Sequence, residues 1–184
     1  MPAAPRSRWA LGALGVIAAA LGCNPNTTRP DFGPVTGAMQ VELALRVPAA
    51  TDRLAEDLAA DTIPLARVER RDGYIESPWF SSTTLNPVPG HPVGREVVRV
   101  RAWIGPTKPE HIQMVVETVF RPFDDPSLPA RELDRQVPPD HPTAKRIQAI
   151  LTKLNTLYGD SLAVPGAGPD TTRKRVSSPD TTKR

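Results

Sequence analysis

The chain has 184 residues, of which 22 are proline, about 12% against a typical share of roughly 5%. With aromatic residues at only 5%, it holds material for one modest core with flexible ends, which argues against a large helix-rich enzyme. The net charge of +3 comes from the ends: residues 1–22 carry Arg6 and Arg8 and no acid, residues 169–184 carry Arg173, Lys174, Arg175, Lys183 and Arg184 against Asp170 and Asp180, and residues 23–168 hold 16 basic and 18 acidic side chains. A slightly acidic body lacks the basic face of a nucleic-acid-binding domain, so no nucleic-acid partner is expected.

Arg6 and Arg8 precede an uncharged apolar run over residues 9–21, which meets Gly22 and Cys23. A positive start, a short apolar stretch and then small residues are the order of a secretory signal. As a helix the run spans roughly 20 Å, short of the ~30 Å hydrocarbon core, so export is expected in place of a stable span. Cys23 is the only cysteine, which rules out an intramolecular disulfide. The residues Ala20-Leu21-Gly22-Cys23 resemble a bacterial lipoprotein lipobox, in which a signal peptidase cuts before a cysteine thioether-linked to diacylglycerol. Gly22 and the obligatory Cys23 match, whereas Ala20 and Leu21 depart from the usual Leu and small residue. The rival reading is cleavage after Ala18-Ala19-Ala20, which leaves Cys23 a free thiol. The resemblance implies a lipid attached at Cys23 with two or three chains, an anchor that stays in its membrane. Asn24 after the cysteine implies, by the sorting rule of such lipoproteins, the outer membrane over the inner one.

Residues 24–37 contain three prolines, two glycines and one large apolar residue, Phe32, and read as a flexible tether of roughly 20 Å as a coil and at most about 45 Å stretched. A single domain is expected over residues 38–160. Met39, Val41, Leu43, Leu45 and Val47 alternate with Gln40, Glu42, Ala44 and Arg46, the period of a strand with one buried face. Residues 49–61 switch to helical spacing through Leu54 and Leu58, with Thr51 or Asp52 as candidate caps. Residues 63–68 and 74–77 flank Asp72-Gly73, a hairpin signal.

Residues 78–94 are polar and proline-broken and carry Trp79 and Phe80. A strand resumes over 95–104, the Gly105-Pro106-Thr107-Lys108-Pro109 segment turns the chain, and residues 112–120 form its antiparallel partner. Residues 122–139 read as an exposed connection with one short helical turn near 131–134. Ile147, Ile150, Leu151, Leu154, Leu157 and Tyr158 then mark an amphipathic helix capped by Asp140, with Pro142 in its first turn and Gly159 at its end. The expectation is an α+β fold of order β-α-β-β-β-β-α, an antiparallel sheet of about five strands packed by the last helix. Residues 161–184, with the near-repeat Pro-Asp-Thr-Thr-Arg/Lys at 169–173 and 179–183, read as a disordered basic tail, either solvated without a target or touching anionic headgroups, peptidoglycan or an acidic partner.

Signals for chemistry are few. His91, His111 and His141 lie in proline-rich connections without metal-ligand spacing, Asp124, Asp125 and Asp134 have no cation-loop register, and the chain has no nucleophile elbow or phosphate-binding glycine motif. No enzymatic activity, metal or cofactor is expected. Arg99, Arg101 and Trp103 share one strand face opposite Val98, Val100 and Ile104; if nothing covers that face, it has the composition of a binding hot spot, to which Trp79 and Phe80 can add.

The lipobox-type cysteine, the tether and the element order together resemble small envelope lipoproteins built on a helix-grip domain, among them the NlpB or BamC family of outer-membrane assembly lipoproteins. The likeness rests on element order over residues 38–159 and on phrases such as Asp72-Gly73-Tyr74-Ile75-Glu76-Ser77-Pro78-Trp79; the family's usual pair of such domains is absent. It implies a lipid-anchored, non-enzymatic module that docks another envelope protein, in outer-membrane assembly or maintenance. The alternative is a lipid- or peptide-binding module with a groove between helix and sheet, lined by Leu54, Leu58, Ile147 and Leu151.

Overall fold

A computed structural model of the chain describes residues 27–159. The apolar run, Cys23 and the basic tail lie outside the described residues. The order is β1 (Met39–Leu43), α1 (Val47–Ala60), β2 (Arg67–Glu69), β3 (Tyr74–Glu76), β4 (Phe80–Ser81), β5 (Gly94–Lys108), β6 (His111–Arg121), α2 (Ala130–Leu133), β7 (Arg135–Gln136) and α3 (Pro142–Tyr158). All pairings are antiparallel, so the fold is α+β, with seven strands in place of the expected five or so.

The long β5–β6 hairpin is the spine. β1 joins the far side of β6 from Met39↔Val116 to Leu43↔Ile112, and β7 joins the same side further along at Val119↔Gln136; β3 and then β2 extend the sheet from β5, and β4 pairs with the start of β5. Period-two alternation sends Val98, Val100, Ala102 and Ile104 of β5 to one face, where Leu54 and Leu58 of α1 and Ile147 and Leu154 of α3 meet them at 0–1% exposure. Each such aliphatic burial stabilises by about 2 kcal/mol, and together they form the core.

Several boundaries differ from the sequence reading for local reasons. The helix expected over 49–61 starts at Val47, because Pro48 suits a first turn; Arg46 is its uncapped N-cap, and Thr51 bonds backward to the Val47 carbonyl at 2.8 Å instead of capping. The strand expected over 63–68 shrinks to Arg67–Glu69, since Pro64 offers no ladder donor and Ile63 turns into the core, its N–H held by the Leu58 carbonyl at 2.9 Å. β5 runs through Gly105 and Pro106 where a turn was expected. The Ile104 N–H bonds the Gly73 carbonyl, so two residues on Pro106 directs its nitrogen to the same side, where β3 has ended and no donor is required. His141, not Asp140, is the N-cap of α3: its Nδ1 accepts from Thr143 N at 3.2 Å while Nε2 donates to the Arg95 carbonyl at 3.1 Å.

Gly73 is required where it stands. With φ at +63° and a hypothetical Cβ 2.2 Å from the Ile104 carbonyl oxygen and 2.7 Å from Val47 Cγ1, no side chain fits the β2–β3 turn. That turn is thereby pressed against the first turn of α1.

Candidate functional site

The face of the sheet opposite the helices carries the sequence-derived candidates. Register sets Arg101 beside Glu117 on β6 and Glu76 on β3, and Trp103 beside Tyr74. Asp134, which leads from α2 into β7, closes the group. Arg101 donates to Glu117 Oε1 and Asp134 Oδ2, both at 2.9 Å, and through Nε to Glu76 Oε1 at 3.1 Å; Arg121 Nε reaches Asp134 at 3.0 Å, and Arg131 forks onto Glu117 at 2.6 and 2.9 Å. Glu117 and Asp134 have fully buried carboxylates. Burial opposes the charge on Arg101, but its bonds to Asp134 and Glu117 outweigh that and hold its pKa above the ordinary value; Arg99 is displaced downward by burial and then by Arg101.

Aromatic rings complete the cluster. Arg99 and Arg121 lie 4.7 and 4.9 Å from the Trp79 ring, and Arg101 and Arg131 lie 5.2 and 4.7 Å from Phe32. Phe32 meets Trp103 edge-on at 6.3 Å. This phenylalanine belongs to residues 27–37, the described part of the stretch read as a tether. Instead of standing free, that strap is bonded across the sheet: Thr28 N and Oγ1 to Asp72, Arg29 to the Gly73 and Ile104 carbonyls, Arg131 to the Gly33 carbonyl, and Val35 N to Glu117 Oε2 at 2.7 Å.

The exposed hot spot of Arg99, Arg101 and Trp103 is therefore not present. Arg101 is 4% exposed and Trp103 9%, Trp79 is 4% exposed, and Phe80 is wholly buried on the core side through its pairing with Val98. The cover is the strap together with α2, β7 and the Trp79 ring. The cluster works as a structural ion network, with four guanidiniums serving three carboxylates, which leaves no spare base or open cation site in it.

The expected groove beneath the helices is also filled, since Leu54, Leu58 and Ile147 are core residues. A groove of about 680 Å³ lies instead along the outer edge of β1, between that strand, the β7 segment and α3. Of the residues expected to line a groove, it has only Leu151. Met39, Val41 and Val137 extend the apolar floor, and Gln136, Gln148 and Asn155 supply amides. No lining residue is charged. The side-chain oxygen of Gln136, in the groove wall, is buried without a hydrogen-bond partner. No strand among the described residues pairs with the outer side of β1, so alternate residues there present N–H and C=O outward.

Among the described residues no three His, Cys, Asp or Glu side chains are grouped to hold a metal ion, and no helix is long and apolar enough to cross a membrane. No protein-family model matches the chain, and no curated protein matches its sequence significantly. The groove was not foreseen because its walls come from three distant segments; the one local sign was that Gln148, Thr152 and Asn155 sit at helical spacing beside Leu151. The ion network had a clearer sign in Glu117, a lone acid inside the apolar run of β6.

Proposed function

We propose that the chain is a lipid-anchored envelope protein that docks an extended segment of another protein by strand addition to β1, with no catalytic role. The observation that carries this is the uncharged groove on the open side of an edge strand. An added strand satisfies the outward backbone groups of β1, its side chains alternate onto Met39, Val41 and Leu151, and the amides of Gln148 and Asn155 suit a peptide backbone. β1 has five residues, which a partner strand of roughly 17 Å matches. The docking role inferred from resemblance to envelope lipoproteins thus moves from the sheet face to the sheet edge and merges with the groove alternative. Anchoring through Cys23 and an envelope location rest on the lipobox resemblance.

Selection from a random peptide library on the purified protein tests the docking. Enriched peptides should be charge-poor and rich in strand formers, should protect β1 amides from hydrogen exchange, and should lose binding to the Thr152→Arg protein. Absence of enrichment, or protection confined to other strands, refutes it.

A further inference from the structure

We infer that the strap over residues 27–37 regulates the edge groove: docked, it holds the groove wall in place, and a segment bound in the groove in turn holds the strap down. The inference rests on the strand-addition reading for the occupant of the groove and on the contacts of the strap for the rest. Two segments at the rim of the groove are fixed by the same ion network on the strap-covered face of the sheet. The strap is the first: Val35 N donates to Glu117 Oε2 at 2.7 Å, and Phe32 lies against Arg101 and Arg131. Two residues beyond Val35, Gly37 lines the groove, and Met39 then opens β1. The second is β7, which follows Asp134 directly, and Asp134 is held by Arg101 at 2.9 Å and by Arg121 at 3.0 Å.

Arg131 joins the two. Its guanidinium forks onto Glu117 at 2.6 and 2.9 Å, donates to the Gly33 carbonyl of the strap and approaches Asp134 at 3.7 Å. The β7 wall has little other backbone support: it pairs with β6 only at Val119↔Gln136 and Phe120↔Arg135, followed by Val137 N donating to the Thr118 carbonyl at 2.9 Å. Strap and wall also meet, since a Cβ on Gly37 would stand 3.9 Å from Gln136 Cγ, and Gln136 Oε1 is buried beside that joint with no hydrogen-bond partner among the described residues. Water satisfies this oxygen when the joint opens, so the unpaired group lowers the cost of opening. The strap thus has two states, docked with the wall formed or released with the wall loosened, and a groove occupant that touches Gly37, Met39, Gln136 and Val137 favours the docked one.

Two readouts test this, one of them without any peptide. In Phe32→Ala and in Val35→Pro, which removes the amide bonded to Glu117, native-state hydrogen exchange at the Val137 amide should speed up about fivefold or more over the wild-type protein, while amides of the β5–β6 hairpin change far less. Val137 exchange that is unchanged in both variants, or that rises only in step with the hairpin, overturns the coupling whether or not the groove binds a peptide. With a library-selected peptide, affinity should fall about fivefold or more in both variants, and saturating peptide should slow chymotrypsin cleavage after Phe32 of the wild-type chain by a similar factor, because the coupling is reciprocal. In Thr152→Arg, whose groove is blocked, the same peptide should leave cleavage after Phe32 unchanged. Equal affinity for the wild type and both variants, or slowed cleavage in Thr152→Arg as well, overturns the inference. If no peptide binds the wild type, the docking reading fails and the Val137 amide alone decides the coupling.

Discussion

Replacing Glu117 by Gln probes the ion network at its most buried acid. The carboxylate is 0% exposed and accepts four hydrogen bonds, from Arg101 Nη1, both terminal nitrogens of Arg131 and the Val35 amide. Gln keeps the shape but loses the charge, and its NH2 must face a former donor. Arg101 retains Glu76 and Asp134, whereas Arg131 keeps its bond to the Gly33 carbonyl but, among carboxylates, only a 3.7 Å approach to Asp134 and, being 19% exposed, gains part of its compensation from water. Removing one member of a buried charge pair costs 3–5 kcal/mol, and partial exposure of Arg131 puts this substitution at the low end, about 3 kcal/mol. With a urea m-value of about 1–3 kcal/mol/M, the midpoint should fall by roughly 1–3 M. Because Val35 loses its acceptor or must share it, protease cleavage within 29–37 should rise in parallel. A midpoint shift under about 0.3 M with unchanged cleavage refutes the network's role in holding the strap.

Phe32→Ala should cost about 2 kcal/mol through lost ring contacts with Trp103, Arg101 and Arg131, and should red-shift tryptophan emission and raise acrylamide quenching as Trp103 is uncovered. Gly73→Ala should destabilise by more than about 2 kcal/mol in thermal unfolding, because the added methyl meets the Ile104 carbonyl at a positive φ. Asp72 has its pKa lowered by the Thr28 hydroxyl and then the Thr28 amide. Its folded value lies below the unfolded one, so its contribution is complete above about pH 4 and fades as pH falls through the folded value. The protection of the Thr28 amide against hydrogen exchange, relative to its intrinsic rate at each pH, should therefore fall below about pH 4 in the native protein but show no such step in Asp72→Asn.

Much of the fold was readable from local pattern. Alternation from Met39 to Val47 gave β1, although the strand stops at Leu43 because α1 begins at Val47; helical spacing from Ile147 to Tyr158 gave α3, and Asp72-Gly73 marked the β2–β3 turn. What escaped was decided by partners distant in sequence. β4 and β7 are two-residue pairings with no period of their own, made only because β5 and β6 offer open positions at Val97–Val98 and Val119–Phe120. The residue set Arg99, Arg101 and Trp103 was correctly placed on one face, but its exposure depended on Phe32, a single aromatic in a segment whose composition alone predicts no order. Once Glu117 anchors Val35 and Phe32 stacks on two guanidiniums, the strap gains bonds that composition cannot show. The groove follows the same logic, since an edge strand and a helix face acquire meaning only after the register of β1 on β6 is known.

Isotope-filtered NOE spectroscopy between labelled protein and an unlabelled library-selected peptide tests strand addition most directly. The account predicts cross-strand contacts from the backbone protons of β1 together with contacts from the Leu151 and Val137 methyl groups. Contacts from the Arg99–Trp103 face, or from neither β1 nor α3, would contradict it.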